Sequence, residues 1–210
     1  MRLWRGTRPA AVAAATATAV VVAGLAWETR SEFFAAATRQ PPPPPTSDPF
    51  DLERRFVRTH RTHFDGAMRE LAAGRKRGHW SWYVFPTPPY VDGRGREAGS
   101  GHNREYALRD PPPHELQGVL AAQAFLQFPP SGPDGVDLRA NYLAMLRTVQ
   151  RQLDRGVSAE ELVGWIDEPK LRSSVRLFLD ASAPRKSPPA PWGGDAEVHA
   201  ACARLLRAMK

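Results

Sequence analysis

The residues with the greatest chemical potential crowd into one stretch, Arg75–Phe85, where cations and aromatic rings alternate. Its rings would form a flat platform for stacking: Trp80, Trp82, Tyr83. Its cations and imidazole would grip an anionic group: Lys76, Arg77, His79. Rings beside cations are how binding sites hold nucleotides and sugar phosphates, so the stretch predicts a site for a small anionic ligand. The alternative is structural, because large aromatic side chains also pack hydrophobic cores.

Other residues that could do chemistry give weaker signals. His60 and His63 lie three apart, within reach of one metal ion on a helix face, but no third ligand follows with zinc spacing. Ser173 and Ser174 lack the Gly-x-Ser-x-Gly turn of a serine nucleophile. We therefore expect no metal site, no cofactor and no serine-based catalysis. We keep Ser173 as a candidate ligand contact.

The charge balance argues against nucleic-acid binding. The 210 residues carry 29 Lys and Arg against 22 Asp and Glu, a net charge of +7. Five of these cations and two of these acids fall in the first 45 residues, so residues 46–210 carry 24 against 20, a net charge of +4. That excess is modest for a protein that neutralises the phosphates of nucleic acid. The single cysteine, Cys202, excludes an internal disulfide.

The N-terminal residues have the layout of a targeting segment. Arg2, Arg5 and Arg8 precede the uncharged run Ala10–Trp27. A basic head before an apolar run is typical of a signal peptide or signal anchor, and the Ala/Thr-rich, acid-poor composition also suits an organellar transit peptide. We assign residues 1–30 to such a signal, anchor or transit segment, which predicts membrane attachment or a secretory or organellar location. Without a targeting role, a cytoplasmic location follows.

A proline-rich linker follows the targeting segment. Pro41–Pro45 is an unbroken proline run, which favours an extended polyproline helix. We assign residues 31–47 to a disordered linker that acts as a stiff spacer. The alternative, a ligand for an SH3 or WW module, is less favoured because no flanking anchor pattern accompanies the prolines.

The remaining residues, 48–210, predict one all-α domain, a single compact bundle of about six helices around an aromatic-rich irregular segment. Helix starts are marked by capping residues or by the onset of an apolar stripe: Asp48, Asp110, Leu138, Ser158, Asp167, Asp195. Asp48 and Asp110 each precede a proline, which is typical of a first helical turn. Ser158 and Glu161 form a capping box for a short helix that we expect to reach Trp165.

Two stretches interrupt the helical period. Residues 75–90 are too aromatic and too proline-flanked for an amphipathic helix, and residues 92–102 hold four glycines that predict a mobile loop. If residues 80–84 are extended, Trp80 and Trp82 share one side of the chain, away from His79 and Tyr83.

Three strings of residues are similar to those of a known family. The run Leu71–Pro86, the short motif Glu105–Leu108 and the run Asp167–Phe178 resemble, in this order, motifs of the domain of unknown function 1810 family. The resemblance covers residues 48–180 and implies a mainly α-helical domain with no assigned reaction. The chain departs from the family where Thr87 follows Phe85-Pro86, since members commonly have glutamine there.

Two hypotheses for the function follow. The first is a tethered or targeted binding or adaptor module for a small anionic ligand or a peptide. The second is an enzyme, with His79 as acid or base, Lys76 and Lys170 holding an anion, and Tyr106 carrying a proton. Convergence of these four residues on one concave site would favour the enzyme. The candidate ligand contacts are Lys76, Arg77, His79, Trp80, Trp82, Tyr106, Lys170 and Ser173.

Overall fold

The computed structural model describes residues 48–132, 134–184 and 194–209. The predicted all-α class is confirmed, because these residues form eight helices and no strand, with only two isolated β-bridges. The predicted targeting segment 1–30 and linker 31–47 lie outside the described residues. In the described part of the chain, no helix has the length and apolar character needed to cross a membrane.

The eight helices follow one another through short links. The first, α1, opens with a π-helical stretch, Glu53–Val57, and continues as an α-helix over Arg58–Ala72. The others are α2 Ser81–Val84, α3 Gly101–Tyr106, α4 Val119–Gln127, α5 Leu138–Asp154, α6 Ala159–Val163, α7 Glu168–Ala181 and α8 Ala196–Ala208. Helix α7 packs against α4 and α8, and α5 packs against α1 and α8.

The first helix begins a few residues later than its capping signal indicates. The Asp48 carboxylate accepts a hydrogen bond from the Glu53 amide at 2.8 Å, and Asp51 lies between them in the left-handed region with φ 54°. Asp48 therefore caps the helix from five residues upstream. The predicted apolar stripe is confirmed, since its members are buried and face the core: Phe56, His60, Phe64, Ala67, Leu71.

The predicted helix start at Asp110 is wrong. Residues 111–117 form turns, and α4 begins only at Val119. The buried Asp110 carboxylate instead accepts from the Ala121 amide at 2.9 Å, so it caps α4 from across the turns. Gly118 makes this start possible, because it adopts φ 73° and a Cβ there would lie 2.4 Å from the Leu108 carbonyl oxygen.

The capping box of Ser158 and Glu161 is confirmed, with both reciprocal hydrogen bonds present. The helix that it starts ends at Val163 and not at Trp165, because Gly164 turns the chain with φ 86°. Trp165 consequently leaves the helix and has 73% of its surface exposed.

The centre of the core is an aromatic cluster around Phe125 of α4. Its ring meets Phe56 of α1 at 5.3 Å and Phe178 of α7 at 5.4 Å, both edge to face. Tyr142 of α5 stacks on Phe178 at 4.0 Å, and its buried hydroxyl lies 3.1 Å from Ser174 Oγ. Four helices therefore meet on rings, whose edge-to-face contacts add to the gain from burial.

His60 contributes a polar group to this core. Its Nε2 lies 2.7 Å from the Tyr83 carbonyl oxygen, and its Nδ1 lies 3.1 Å from Asn141 Nδ2. A neutral imidazole satisfies both neighbours, with Nε2–H donating to the carbonyl and Nδ1 accepting from the amide. Burial lowers the pKa of His60 to about 4, and the hydrogen bond to Tyr83 opposes this only in part. His60 thus packs as a neutral core residue.

The stability of the fold should fall in mild acid because of His60. In the unfolded chain a histidine takes up a proton near pH 6.5, whereas folded His60 stays neutral down to about pH 4. The stabilisation is complete above pH 6.5, so we expect the free energy of unfolding to drop by about 2 kcal/mol between pH 6.5 and pH 5. Denaturant titrations at each pH measure this drop.

The variant His60→Gln isolates the effect, because its amide can donate and accept but does not titrate. We expect it to be less stable than the parent at pH 7 and to lack the acid slope between pH 6.5 and 5. Equal slopes in parent and variant would show that other groups cause the loss.

Candidate functional site

A single carboxylate anchors the irregular stretch that follows α1. Glu70 accepts hydrogen bonds from the Arg77 amide at 2.7 Å, the Gly78 amide at 2.9 Å and the Trp80 indole at 2.7 Å. Burial alone would favour the protonated acid, but these hydrogen bonds lower the pKa of Glu70. Gly78 is needed beside the indole, since a Cβ there would lie 2.9 Å from Trp80 Cδ1.

The expectation that Trp80 and Trp82 share a side is not met, because residues 81–84 form the short helix α2. The amides of Val84 and Phe85 bond back to the carbonyls of Trp80 and Ser81. One turn of helix sends the two indoles to different surroundings. Trp80 is buried against Phe85, with 4% of its surface exposed, whereas Trp82 is only half-buried.

Asp167, at the start of α7, draws the two candidate lysines together. Its carboxylate lies 2.6 Å from Lys76 Nζ and 2.8 Å from Lys170 Nζ, and it accepts from Ser81 Oγ at 3.0 Å. Burial would favour protonation, but the hydrogen bonds from Lys170 and Lys76 lower the pKa of Asp167. We call Lys76, Asp167 and Lys170 the buried ion triad. Its side chains are between 10% and 21% exposed.

The triad also sets the positions of the indoles. Lys76 Nζ lies 5.3 Å from the centre of the Trp80 ring, and Lys170 Nζ lies 4.8 Å from that of Trp82. Cations at these distances are attracted by the aromatic quadrupole. The basic-aromatic stretch and the Lys170 turn of α7 therefore touch in space.

Beyond Trp82 lies an open cleft of about 580 Å³ between α1, α2 and α3. We call it the aromatic cleft. Its lining residues are Arg58, Thr59, Thr62, His63, His79, Trp82, Tyr83, His102 and Tyr106. The Trp82 ring stacks on His102 at 4.9 Å, and His102 lies parallel to Tyr106 at 6.4 Å.

The cleft has neutral walls and a cationic or titratable rim. Burial, together with the neighbouring Tyr106, raises the pKa of Tyr83 to about 12, so its phenol stays protonated at neutral pH. Arg58, His63, His79 and His102 have exposed side chains. Within the described residues, none of these four forms an ion pair, and none of the cleft-lining residues is acidic.

The predicted site residues divide among several locations. His79, Trp82 and Tyr106 line the aromatic cleft, whereas Lys76 and Lys170 belong to the buried ion triad. Arg77 is exposed and Trp80 is in the core. Ser173 lines a separate groove of about 370 Å³ on α7, together with Arg172 and Arg176.

Three residues of the cleft rim were missed by sequence reasoning. Arg58 reads as one of several scattered arginines on α1, and His63 reads as a partner of His60. His102 falls in the glycine-rich stretch, where Ser100 caps α3 and so orders the histidine. Only the spacing of His63 from Arg58 and Thr59 on one helix carried a signal. In the described part of the chain, no cluster of three or more His, Cys, Asp or Glu could hold a metal ion.

Comparison with known proteins agrees with the motifs quoted above. A family model described as "Protein of unknown function (DUF1810)" matches residues 49–188, a range that contains the cleft and the triad. The crystal structure of the conserved hypothetical protein Rv1873 from Mycobacterium tuberculosis is similar, with 30% sequence identity and a TM-score of 0.54. The alignment covers 76% of this chain and 87% of that chain. No curated protein matches the sequence.

Loss of the Asp167 charge should destabilise the fold strongly. Asp167→Ala leaves Lys76 and Lys170 shielded from water without a counter-charge, so we expect unfolding to become easier by about 3–5 kcal/mol. Asp65→Ala is the matched control, because Asp65 is exposed on α1, and it should change stability by less than about 0.5 kcal/mol. Chemical denaturation at pH 7 measures both. A loss below about 1 kcal/mol for Asp167→Ala would contradict the role of the triad.

Proposed function

Because the chain belongs to the DUF1810 family, whose description names no activity, we propose a function from the geometry of the aromatic cleft. The domain is a binding module that holds a small phosphate-bearing ligand in this cleft. The observation that carries the proposal is the make-up of the lining: an arginine and three histidines at the rim, aromatic rings in the walls and no acid.

The charges of the cleft suit an anion. Arg58 has no carboxylate partner among the described residues, and the three imidazoles add positive charge as the pH falls from about 8 to about 5. A phosphate group at the rim would therefore gain charge-assisted hydrogen bonds without displacing an existing ion pair.

The walls suit the uncharged part of such a ligand. Trp82 and Tyr106 present ring surface to the cleft, and the hydroxyl of Tyr106 lies 3.4 Å from Thr59 Oγ1. Rings stack on the faces of sugars and bases, while hydroxyl groups provide directional hydrogen bonds. A ligand that combines a planar or ring-shaped part with a phosphate would use both features.

Binding is favoured over catalysis because the groups that an enzyme would need are occupied or unsupported. The ammonium groups of Lys76 and Lys170 are bound to Asp167 and do not line the cleft. In the described residues, no carboxylate orients the ring of His79, whereas a catalytic histidine is normally held by a third group.

The proposal includes the location of the module. Residues 1–30 target the domain to a membrane or an organelle, and the proline-rich residues 31–47 separate it from that segment. The support is the sequence alone: three arginines, then an 18-residue uncharged run, then five consecutive prolines. A tethered module fits a role as an adaptor that presents its cleft at a fixed place.

Removal of His79 should abolish the response to phosphate-bearing ligands without unfolding the domain. His79 is exposed, so His79→Ala should change the free energy of unfolding by less than about 0.5 kcal/mol. A thermal-shift panel of inorganic phosphate, ribose 5-phosphate and adenosine monophosphate measures binding to the parent and the variant. We expect stabilisation of the parent to grow from pH 8 to pH 6.

His114→Ala is the matched control, since His114 is equally exposed but lies outside the cleft. It should keep the parent response, and Arg58→Gln should lose it as His79→Ala does. Equal responses in parent and His79→Ala, or no response in either, would overturn the binding proposal.

The N-terminal segment should remove the chain from the soluble cytosol. We expect a full-length fusion to a fluorescent reporter to localise to a membrane or an organelle, because residues 1–30 supply the signal. A fusion that begins at Thr46 should spread through the cytosol. Microscopy and fractionation measure the two distributions, and a diffuse full-length fusion would remove the targeting claim.

A further inference from the structure

A second surface, on the link between α6 and α7, is unusually apolar. Trp165 and Ile166 are adjacent and have 73% and 60% of their surfaces exposed, more than the other large hydrophobic residues that the structure describes. Contiguous exposed apolar groups on a soluble domain commonly mark an interaction site. We call these two residues the knob.

The knob is held rigidly. The Gly164 amide bonds to the Glu160 carbonyl at 2.7 Å, and the amides of Asp167 and Glu168 bond back to the Gly164 carbonyl at 3.1 and 2.9 Å. On its C-terminal side, the buried ion triad fixes Asp167. A rigid apolar knob loses little conformational freedom when it is buried by a partner.

An open groove of about 1010 Å³ lies beside the knob, and Trp165 forms one wall of it. Three glycines line the groove, and two of them end helices: Gly74 after α1 and Gly156 after α5. A Cβ at Gly156 or at Gly164 would meet nothing within 4 Å. The same face therefore carries both a protrusion and an open depression.

The charged groups around the groove are balanced. Arg75 and Arg155 line it together with Glu160 and Glu161, two guanidinium groups against two carboxylates. The remaining cation, Lys76, is neutralised by Asp167. A balanced face has no net attraction for an anionic membrane or a strongly charged peptide. It is, however, complementary to itself, since each copy offers both signs.

From these observations we propose that the groove and knob form the interface of a homodimer, with a second copy of this chain as the partner. Two-fold symmetry lets the knob of each copy enter the groove of the other. It also brings arginines of one copy near glutamates of the other. The partner is thus identified by self-complementarity of shape and charge on one face.

The dimer should be weak. A buried aromatic side chain contributes about 150–250 Å², whereas a stable interface needs roughly 800 Å² from each partner. The knob supplies only part of that area, so we expect dissociation in the micromolar range.

Sedimentation of the full chain over a concentration series tests the proposal. We expect a monomer–dimer equilibrium in the parent, and Trp165→Ala with Ile166→Ala should weaken it by at least about tenfold. The matched control is Tyr90→Ala with Val91→Ala, another adjacent aromatic and aliphatic pair that is exposed but lies outside the groove. The control should dimerise as the parent does.

A charge swap adds a test that does not remove apolar surface. Arg155→Glu and Glu160→Arg should each weaken self-association, because each places like charges across the two-fold axis. An equimolar mixture of the two variants should recover a heterodimer with nearly the parent affinity, since opposite charges then face each other.

Two results would overturn the proposal. A full chain that stays monomeric at every concentration would leave the knob to another partner. A dimer that survives loss of the knob would place the interface elsewhere in the chain, and so would a mixture of the two charge variants that associates no better than either alone.

Discussion

A carboxylate removed from water must be matched by positive charge, and in this domain that requirement falls on Asp167. Two ammonium groups and one hydroxyl meet it, and they come from three separate segments: Lys76, Ser81 and Lys170. Because an uncompensated buried charge is costly, these segments stay together as long as the fold persists. The irregular stretch after α1 is thereby fixed against α7, although it has little regular structure of its own.

The rest of the candidate site depends on this anchor. With Lys76 and Lys170 held at Asp167, one cation lies against each indole, so Trp80 is fixed in the core and Trp82 at the edge of the cleft. The Tyr83 carbonyl bonds to buried His60, which ties the floor of the cleft to α1. Polar groups with satisfied hydrogen bonds thus set the positions of the rings, and the rings in turn form the walls.

Local signals in the sequence were sufficient for much of the fold. Caps within three residues of their helices, as at Ser158 and Asp195, and apolar stripes on α1 and α5 predicted where helices lie. Partners distant in sequence explain the failures: Asp110 caps a helix that starts eight residues later, and Asp167 binds lysines instead of capping α7. Of the cleft, the sequence predicted His79, Trp82 and Tyr106, but the rim residue His102 depends on how a glycine-rich stretch folds.

The same anchor bears on how the two proposed surfaces relate to each other. Trp82 of the cleft contacts Lys170, and the knob lies directly before Asp167, so one ion pair separates them in the chain of contacts. Coupling between two sites requires an element with two alternative arrangements. Asp167 has no such freedom, because three side chains hold its carboxylate and any other position would leave charge buried without a partner. Ligand binding in the cleft and association at the knob are therefore expected to be energetically independent.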